Sequence, residues 1–366
     1  MNIGIVGAGV IGRLLALRFS SDDHVVSLFD RNSQGRGGAS WVAAGMLAPY
    51  CERERSAGLV HQLGVASLAR WPDILGELDL PVFFQKTGSL VVSHSSDFAE
   101  LDCFRRKIEA FGMESGFLDV GREDIRELEP EVGENFPRGI FFPHEGQLDP
   151  QGFFVATDAA FCKRRVHCFF GQVVEIHQTE INVGPESFRF DWVLDCRGWG
   201  AEPDWPTLRA VRGEVLVLET QEVSLQRPVR LLHPRYPLYI VPRPNGVFIV
   251  GATQLESSST EPITVRSTLE LLSAAYSVHP GFAEARVLRA RMGLRPTLPD
   301  HLPCILQDGR QLRINGLYRH GYLVAPKIAD LISDFIVHDF VPDAYVELFQ
   351  REISHAIDRE WPRKSS

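Results

Sequence analysis

The chain has 366 residues, 44% of them apolar and 23% charged, with a formal net charge of −9. That length exceeds one ordinary core and the composition is that of a globular protein, so two interleaved or sequential domains are expected. The acidic balance argues against a nucleic-acid partner, and the six cysteines, with no C-x-x-C pair and no histidine cluster beside them, read as isolated thiols of a reducing compartment rather than as a metal site.

Met1-Asn2-Ile3-Gly4-Ile5-Val6 reads as a short apolar strand, followed by Gly7-Ala8-Gly9-Val10-Ile11-Gly12 and an amphipathic helix over 13–20. Val25-Val26-Ser27-Leu28-Phe29 forms a second strand that ends at Asp30. Each part suits a dinucleotide. Gly7 permits the tight turn, Gly9 admits a pyrophosphate to the backbone, and Gly12 lets helix and strand pack closely. The helix N-terminus offers N–H groups and partial positive charge to phosphate. Asp30 is placed to accept hydrogen bonds from an adenosine ribose. Residues 3–17 lack a basic leading region, carry Arg13 and are broken by four glycines, so they are read as this unit and not as a signal or membrane segment. A cytoplasmic protein without an integral membrane segment is expected.

A polar loop, 31–40, leads into Trp41-Val42-Ala43-Ala44-Gly45-Met46-Leu47-Ala48-Pro49, whose small side chains either let a flat ring lie against backbone or start a tightly packed helix. A helix is expected over 56–80, a hairpin over 83–92, helices near 97–111 and 122–128, a strand at 139–143, a helix at 152–162 and a strand at 169–176. Residues 190–195 read as a buried strand ending in Cys196-Arg197-Gly198, where the chain returns to the dinucleotide sheet. Strands at 214–219, 238–242 and 247–252 alternate with proline and glycine turns; a helix at 268–278, a loop at 316–326 and a helix at 327–338 complete the pattern.

Six segments together resemble the amine-oxidising flavoenzymes of the D-amino-acid oxidase family, most closely the glycine oxidases of thiamine biosynthesis. They are the Gly7–Gly12 turn, Ala43-Ala44-Gly45-Met46-Leu47, Tyr239-Ile240-Val241-Pro242-Arg243, Val250-Gly251-Ala252-Thr253, Gly293-Leu294-Arg295-Pro296 and Tyr318-Arg319-His320-Gly321. Two positions depart from the family pattern: Cys196-Arg197-Gly198 stands where Ala-Thr-Gly or Ala-Ser-Gly is usual, and His320 replaces asparagine. The resemblance implies FAD rather than NAD, and an α/β (α+β) fold with a Rossmann-type FAD-binding domain (1–80, 145–210 and 290–366) interleaved with a strand-rich substrate-binding domain (81–144 and 211–289); noncovalent attachment is expected because neither Cys51 nor a histidine near the small-residue run is an evident tether. It also implies FAD contacts from Gly7, Ala8, Gly9, Val10, Ile11, Gly12, Asp30, Arg31, Ser40, Ala43, Ala44, Gly45, Met46, Val173, Cys196, Gly198, Arg295, His320, Gly321, Tyr322 and Leu323.

Three residues are candidates for the substrate end. The planar fork of Arg295 matches an amino-acid carboxylate, and the resemblance favours that over a structural ion pair. Tyr239 either adds a phenol hydrogen bond to the same carboxylate or is a half-buried sheet tyrosine. Arg319 lines the substrate entrance, binds the flavin side of the pocket or sits on the surface. The N–H groups of His320-Gly321-Tyr322-Leu323 either face the flavin N1 and C2 carbonyl or belong to an ordinary loop. No H-E-x-x-H pair and no Ser-His-Asp arrangement supports zinc or hydrolytic chemistry. The expected reaction is oxidation of glycine or another small amino acid to an imine and 2-oxo acid, with ammonia and, from dioxygen, hydrogen peroxide, supplying thiazole synthesis for thiamine. A homo-oligomer is expected. The rivals are a dehydrogenase passing electrons to a quinone, a flavin enzyme acting on a modified tRNA base, and a non-catalytic FAD-binding interaction protein.

Overall fold

The first strand, Asn2–Val6, is buried along most of its length because it lies inside a sheet covered on both faces. The computed structural model describes residues 1–22, 24–55, 58–112, 116–234 and 237–350. Among these the first sheet has seven strands, in the spatial order Phe349–Gln350, Cys304–Asp308, Gln311–Asn315, Trp192–Asp195, Asn2–Val6, Val25–Asp30 and His167–Phe170. The pairings from Gln311–Asn315 through to His167–Phe170 are all parallel. Parallel neighbours need crossovers, and helix Val10–Ser21 makes the first. The strand at 192–195 does return beside the first one, as its sequence suggested.

Helices Val10–Ser21, Gly58–Gly76 and Gly321–His338 pack together over one face of this sheet in a large apolar core. On the other face lies a small antiparallel sheet of Glu175–His177, Glu180–Val183 and Glu186–Arg189, seated through Ile181 and Phe188 on Val6 and Phe29.

The second sheet has nine strands among the described residues. Its order is Leu255–Glu256, Arg209–Glu219, Val247–Gly251, Leu238–Arg243, Val229–Leu232, Ser89–Ser93, Arg138–Phe142 and Leu118–Gly121, with Arg286–Thr297 on the far edge of Arg209–Glu219. Alternation sorts its side chains. Leu216, Leu231, Ile240 and Val250 face a core under helix Val265–Val278, while Val215, Arg230, Tyr239 and Val241 belong to the opposite phase, toward the first sheet.

Three elements differ from their sequence patterns, each for a local reason. Residues 83–92 are not a hairpin: Phe84–Gln85 pairs with Gly146–Leu148 in a further small sheet, and Ser89–Ser93, buried at every position, is an internal strand of the second large one. The run 169–176 is broken at Gly171 (φ +77°), which ends one sheet and leads to another. The last helix starts at Gly321, so most of the loop expected over 316–326 is helical and Pro326 lies inside. Proline leaves the carbonyl four residues earlier without its N–H donor, and here that carbonyl, of Tyr322, accepts the Trp71 indole N–H at 3.0 Å. The helix expected over 56–80 is described as Gly58–Gly76, residues 56 and 57 lying outside the described set. Strands Arg286–Thr297 and Arg209–Glu219 run continuously across positions 289/290 and 210/211. Among the described residues no helix is long and apolar enough to cross a membrane.

Arg13 ties the glycine turn to the rest. Its side chain, wholly buried, donates to the Ala8 carbonyl (3.0 Å), Thr157 Oγ1 (2.7 Å) and Asp158 Oδ1 (2.6 Å), and its guanidinium lies 4.0 Å from the Phe154 ring centroid. Arg13→Met is expected to destabilise the protein by about 2–4 kcal/mol, since it strips buried acceptors while Asp158 keeps Arg36. Urea unfolding measures this, and an unchanged midpoint would show that Arg13 is not the tie.

Candidate active site

A cavity of about 640 Å³ lies between the two large sheets. One end is the glycine turn. Gly7 has φ +106°, and a Cβ there would strike the Cys196 carbonyl; at Gly12 it would strike the Gly7 carbonyl. At Gly9 a Cβ meets nothing nearer than Ser40 Oγ at 3.3 Å, so the turn is open to the cavity where a pyrophosphate has to approach. Asp30 closes the turn by accepting the Ala8 N–H at 2.7 Å and the Asn32 N–H at 2.7 Å, and its carboxylate lines the cavity. Arg31 and Val173 stand exposed at the rim of this end. Ser40 accepts the Val10 N–H and so uses one of the helix's free donors.

The opposite wall is the start of the last helix. His320 precedes its first turn, and Gly321, Tyr322 and Leu323 line the cavity. Their N–H groups lack acceptors within the helix, which makes this a second partially positive edge. His320 is buried, and burial pulls its pKa down to about 4, so the ring is neutral.

Between these walls runs the small-residue segment. Ala44 packs on Val215, Val241 and Ile249 of the second sheet. Gly45 has φ +72°, with no room for a Cβ beside the Leu148 carbonyl. Arg243 pins the segment: its guanidinium donates to the carbonyls of Ala44 and Leu148 (2.8 Å) and to Gln147 Oε1 (2.6 Å). The residues thus present a shallow, apolar, small-residue floor with polar donors at both ends, which fits a bound FAD. Among the described residues no cluster of three or more His, Cys, Asp or Glu is placed to hold a metal.

The far end carries the charge. Arg230, Tyr239, Gly251 and Val215 are register partners in one rank across the second sheet. Arg295 pairs with Val211, and its guanidinium reaches two residues along to lie over Gly213, where any Cβ would collide with it. Gly251 makes room in the same way for Tyr239, whose Oη is 2.9 Å from an ideal Cβ at that position. Arg295 donates to the Thr253 carbonyl at 3.1 Å and, among the described residues, has no carboxylate partner. Burial lowers its pKa from the ordinary arginine value, and burial raises that of Tyr239, so the phenol stays protonated.

Arg319 is neither free nor on the surface: its Nε and Nη2 hold Glu52 Oε2 and Oε1 at 2.9 and 3.0 Å. Arg230 Nη1 reaches Glu52 Oε1 at 3.1 Å and Cys51 Sγ at 2.6 Å. Behind them Glu145, fully buried, accepts the N–H groups of Tyr50 (3.0 Å) and Cys51 (2.7 Å) and the Ser89 hydroxyl. Burial pushes its pKa up to about 7 and also raises that of the Cys51 thiol.

Every site position singled out from the sequence lies in or beside this cavity except two: Ala8 and Gly12 shape the turn from behind it. The unusual Arg197 is accounted for, since its guanidinium is clamped by Asp195 (2.7 Å) and Asp204 (2.6 Å). Sequence reading missed Glu52, Arg230 and Gly213, and it named Gly251 only within a resembling segment, without the room it leaves for Tyr239. Arg230 carried a usable signal, a lone charge in the apolar run Val229-Arg230-Leu231-Leu232. Glu52 carried none, because Cys51-Glu52-Arg53-Glu54-Arg55 reads as a solvated charge run.

The model of the family DAO, FAD dependent oxidoreductase, matches residues 2–335. The putative thiamine biosynthesis oxidoreductase ThiO of Rhizobium etli is 43% identical over 333 residues, covering 91% of this chain and 95% of that protein. The glycine oxidase of Bacillus licheniformis is 24% identical, covering 97% and 98%. The crystal structure of glycine oxidase from Geobacillus kaustophilus superposes with a TM-score of 0.85 at 22% identity, covering 96% and 98%.

Gly213→Ala is expected to displace the Arg295 guanidinium and weaken binding of acetate, the smallest suitable carboxylate, roughly ten- to hundred-fold while the protein still takes up FAD. Perturbation of the flavin spectrum on titration reads this. Unchanged acetate affinity would mean that Arg295 does not need the space above Gly213.

Proposed function

The chain belongs to the DAO family of FAD dependent oxidoreductases, and on that premise we propose that it oxidises glycine or another short amino acid with Arg295 holding the substrate carboxylate. The observation that carries this reading is the placement of Arg295: a guanidinium seated over Gly213, only partly exposed and without a carboxylate partner among the described residues, in the cavity that holds the dinucleotide cradle. Burying such a cation is costly unless an anion meets it, and a carboxylate matches its planar fork.

FAD, when bound, accepts a hydride from the substrate Cα and passes the electrons on. The chain contributes placement and electrostatics. Arg295 orients the carboxylate, and the neutral Tyr239 phenol donates a hydrogen bond to it. The first-turn N–H groups of Gly321, Tyr322 and Leu323 supply positive potential at the cofactor's pyrimidine edge, and neutral His320 adds no charge there. Asp30 takes the adenosine ribose, with Arg31 and Val173 at the rim.

Charge supports a neutral amine. Arg230 and Arg319 share Glu52, and Arg295 adds a further positive charge that a substrate carboxylate offsets; an ammonium group would add more positive charge. The net reaction is then glycinate, dioxygen and water to glyoxylate, ammonia and hydrogen peroxide, through an imine that water hydrolyses. We extend the proposal to a role in supplying thiazole synthesis for thiamine, which the likeness to the Rhizobium etli protein supports. A cytoplasmic homo-oligomer and a division into an FAD-binding part (1–80, 145–210, 290–366) and a substrate part (81–144, 211–289) complete it.

Arg295→Ala should lower kcat/KM for glycine by roughly 30- to 5,000-fold, equivalent to about 2–5 kcal/mol, and Arg295→Lys should recover only part. Amines without a carboxylate should lose far less. Coupled peroxide and ammonia assays measure both the loss and the stoichiometry. Full activity of Arg295→Ala on glycine would make Arg295 structural and reopen the substrate class.

A further inference from the structure

Two of the three arginines at the far end of the cavity already hold a carboxylate, and it belongs to the chain. Glu52 lies in a turn at the cavity wall, with Arg319 gripping both of its oxygens through Nε and Nη2 and Arg230 reaching one of them from the second sheet. The group is well sheltered: side-chain exposure is 13% for Glu52, 20% for Arg319 and 8% for Arg230. Its placement is set from behind. Glu145 receives the N–H groups of Tyr50 and Cys51, which fixes the backbone leading into Glu52. The charge of Glu52 also acts on Arg295, Tyr239 and His320, which places it within reach of the proposed substrate end.

We propose that Arg319 and Arg230 form a second carboxylate site, that Glu52 is its built-in occupant, and that Glu52 thereby restricts the enzyme to substrates with a single carboxylate. The inference rests on the reading that Arg295 binds the first carboxylate. A fork-on-carboxylate pair with a second guanidinium at hydrogen-bond distance is the arrangement a dicarboxylate's other end would need. With Glu52 in place, an acidic substituent on the substrate meets a fixed like charge in a sheltered cavity, a repulsive element that discriminates against it. Without Glu52, two sheltered cations remain, with the Cys51 thiol and the more distant Glu145 near Arg230 among the described residues. Such a pair favours any anion that can reach it. The substrate class opened by removing Glu52 is therefore the aminodicarboxylates, aspartate and iminodiacetate among them, oxidised by the same Cα–H transfer.

The test compares FAD-loaded parent, Glu52→Ala and Glu52→Gln by flavin-spectrum titration with acetate, malonate and succinate in chloride-free buffer, and by turnover of glycine, D-aspartate and iminodiacetate. The better-fitting dicarboxylate should gain roughly 10- to 100-fold over acetate in Glu52→Ala, with a smaller gain in the isosteric Glu52→Gln. Adding Arg319→Ala should cancel that gain. If either variant binds acetate normally but neither dicarboxylate gains on it, Glu52 is not the occupant of a carboxylate site and the proposal is overturned. Glu52→Gln carries the comparison if Glu52→Ala does not load FAD. The underlying reading fails separately: acetate binding by the parent would then be indifferent to Arg295→Ala.

Discussion

Three guanidinium groups share one end of a sheltered cavity, and the need to compensate their charge governs what stands around them. Desolvating a cation costs several kcal/mol unless a carboxylate or a set of carbonyls meets it. The fold meets that need unequally. Arg230 and Arg319 share Glu52, with Glu145 behind, whereas Arg295 has one carbonyl, that of Thr253. On the proposed reading the remaining compensation comes from the substrate, so the balance of charge and the choice of substrate are one problem.

Holding those groups in place falls to residues with little or no side chain. Gly213 leaves room for the Arg295 guanidinium and Gly251 for the Tyr239 ring, both on the face of the second sheet that looks toward the dinucleotide turn. Arg243, at the small-residue segment, is bound instead by carbonyls and an amide, and burial takes its pKa down to about 10. It fastens the small-residue floor to the second sheet. The floor lines the same cavity as the glycine turn and Arg295.

The dinucleotide turn was legible because its chemistry is local. Gly7 needs a positive φ, Gly12 a close backbone contact, and Asp30 a place at a strand end, and each leaves a mark on adjacent residues. Arg295, Tyr239 and Arg319 were found through resemblance, and composition alone would have left them as ordinary residues. What stayed hidden was the tertiary partnership. The strand Val229–Leu232 was unread, so Arg230 had no face to point from, and Glu52 is separated from Arg319 by the whole of the second sheet in sequence. Pro326 misled for a related reason: the acceptor it frees is satisfied by Trp71, distant along the chain, so the helix already runs from Gly321 through Pro326 where the sequence suggests a loop.

The most direct test of the account is a crystal structure of the FAD-loaded protein soaked with acetate or glycolate. The account predicts the carboxylate lying in the fork of Arg295, two N–H···O contacts at about 2.7–2.9 Å, with Tyr239 Oη in hydrogen-bond reach and Glu52 still on Arg319. A carboxylate bound to Arg319 with Glu52 displaced, or bound away from Arg295 altogether, would contradict it.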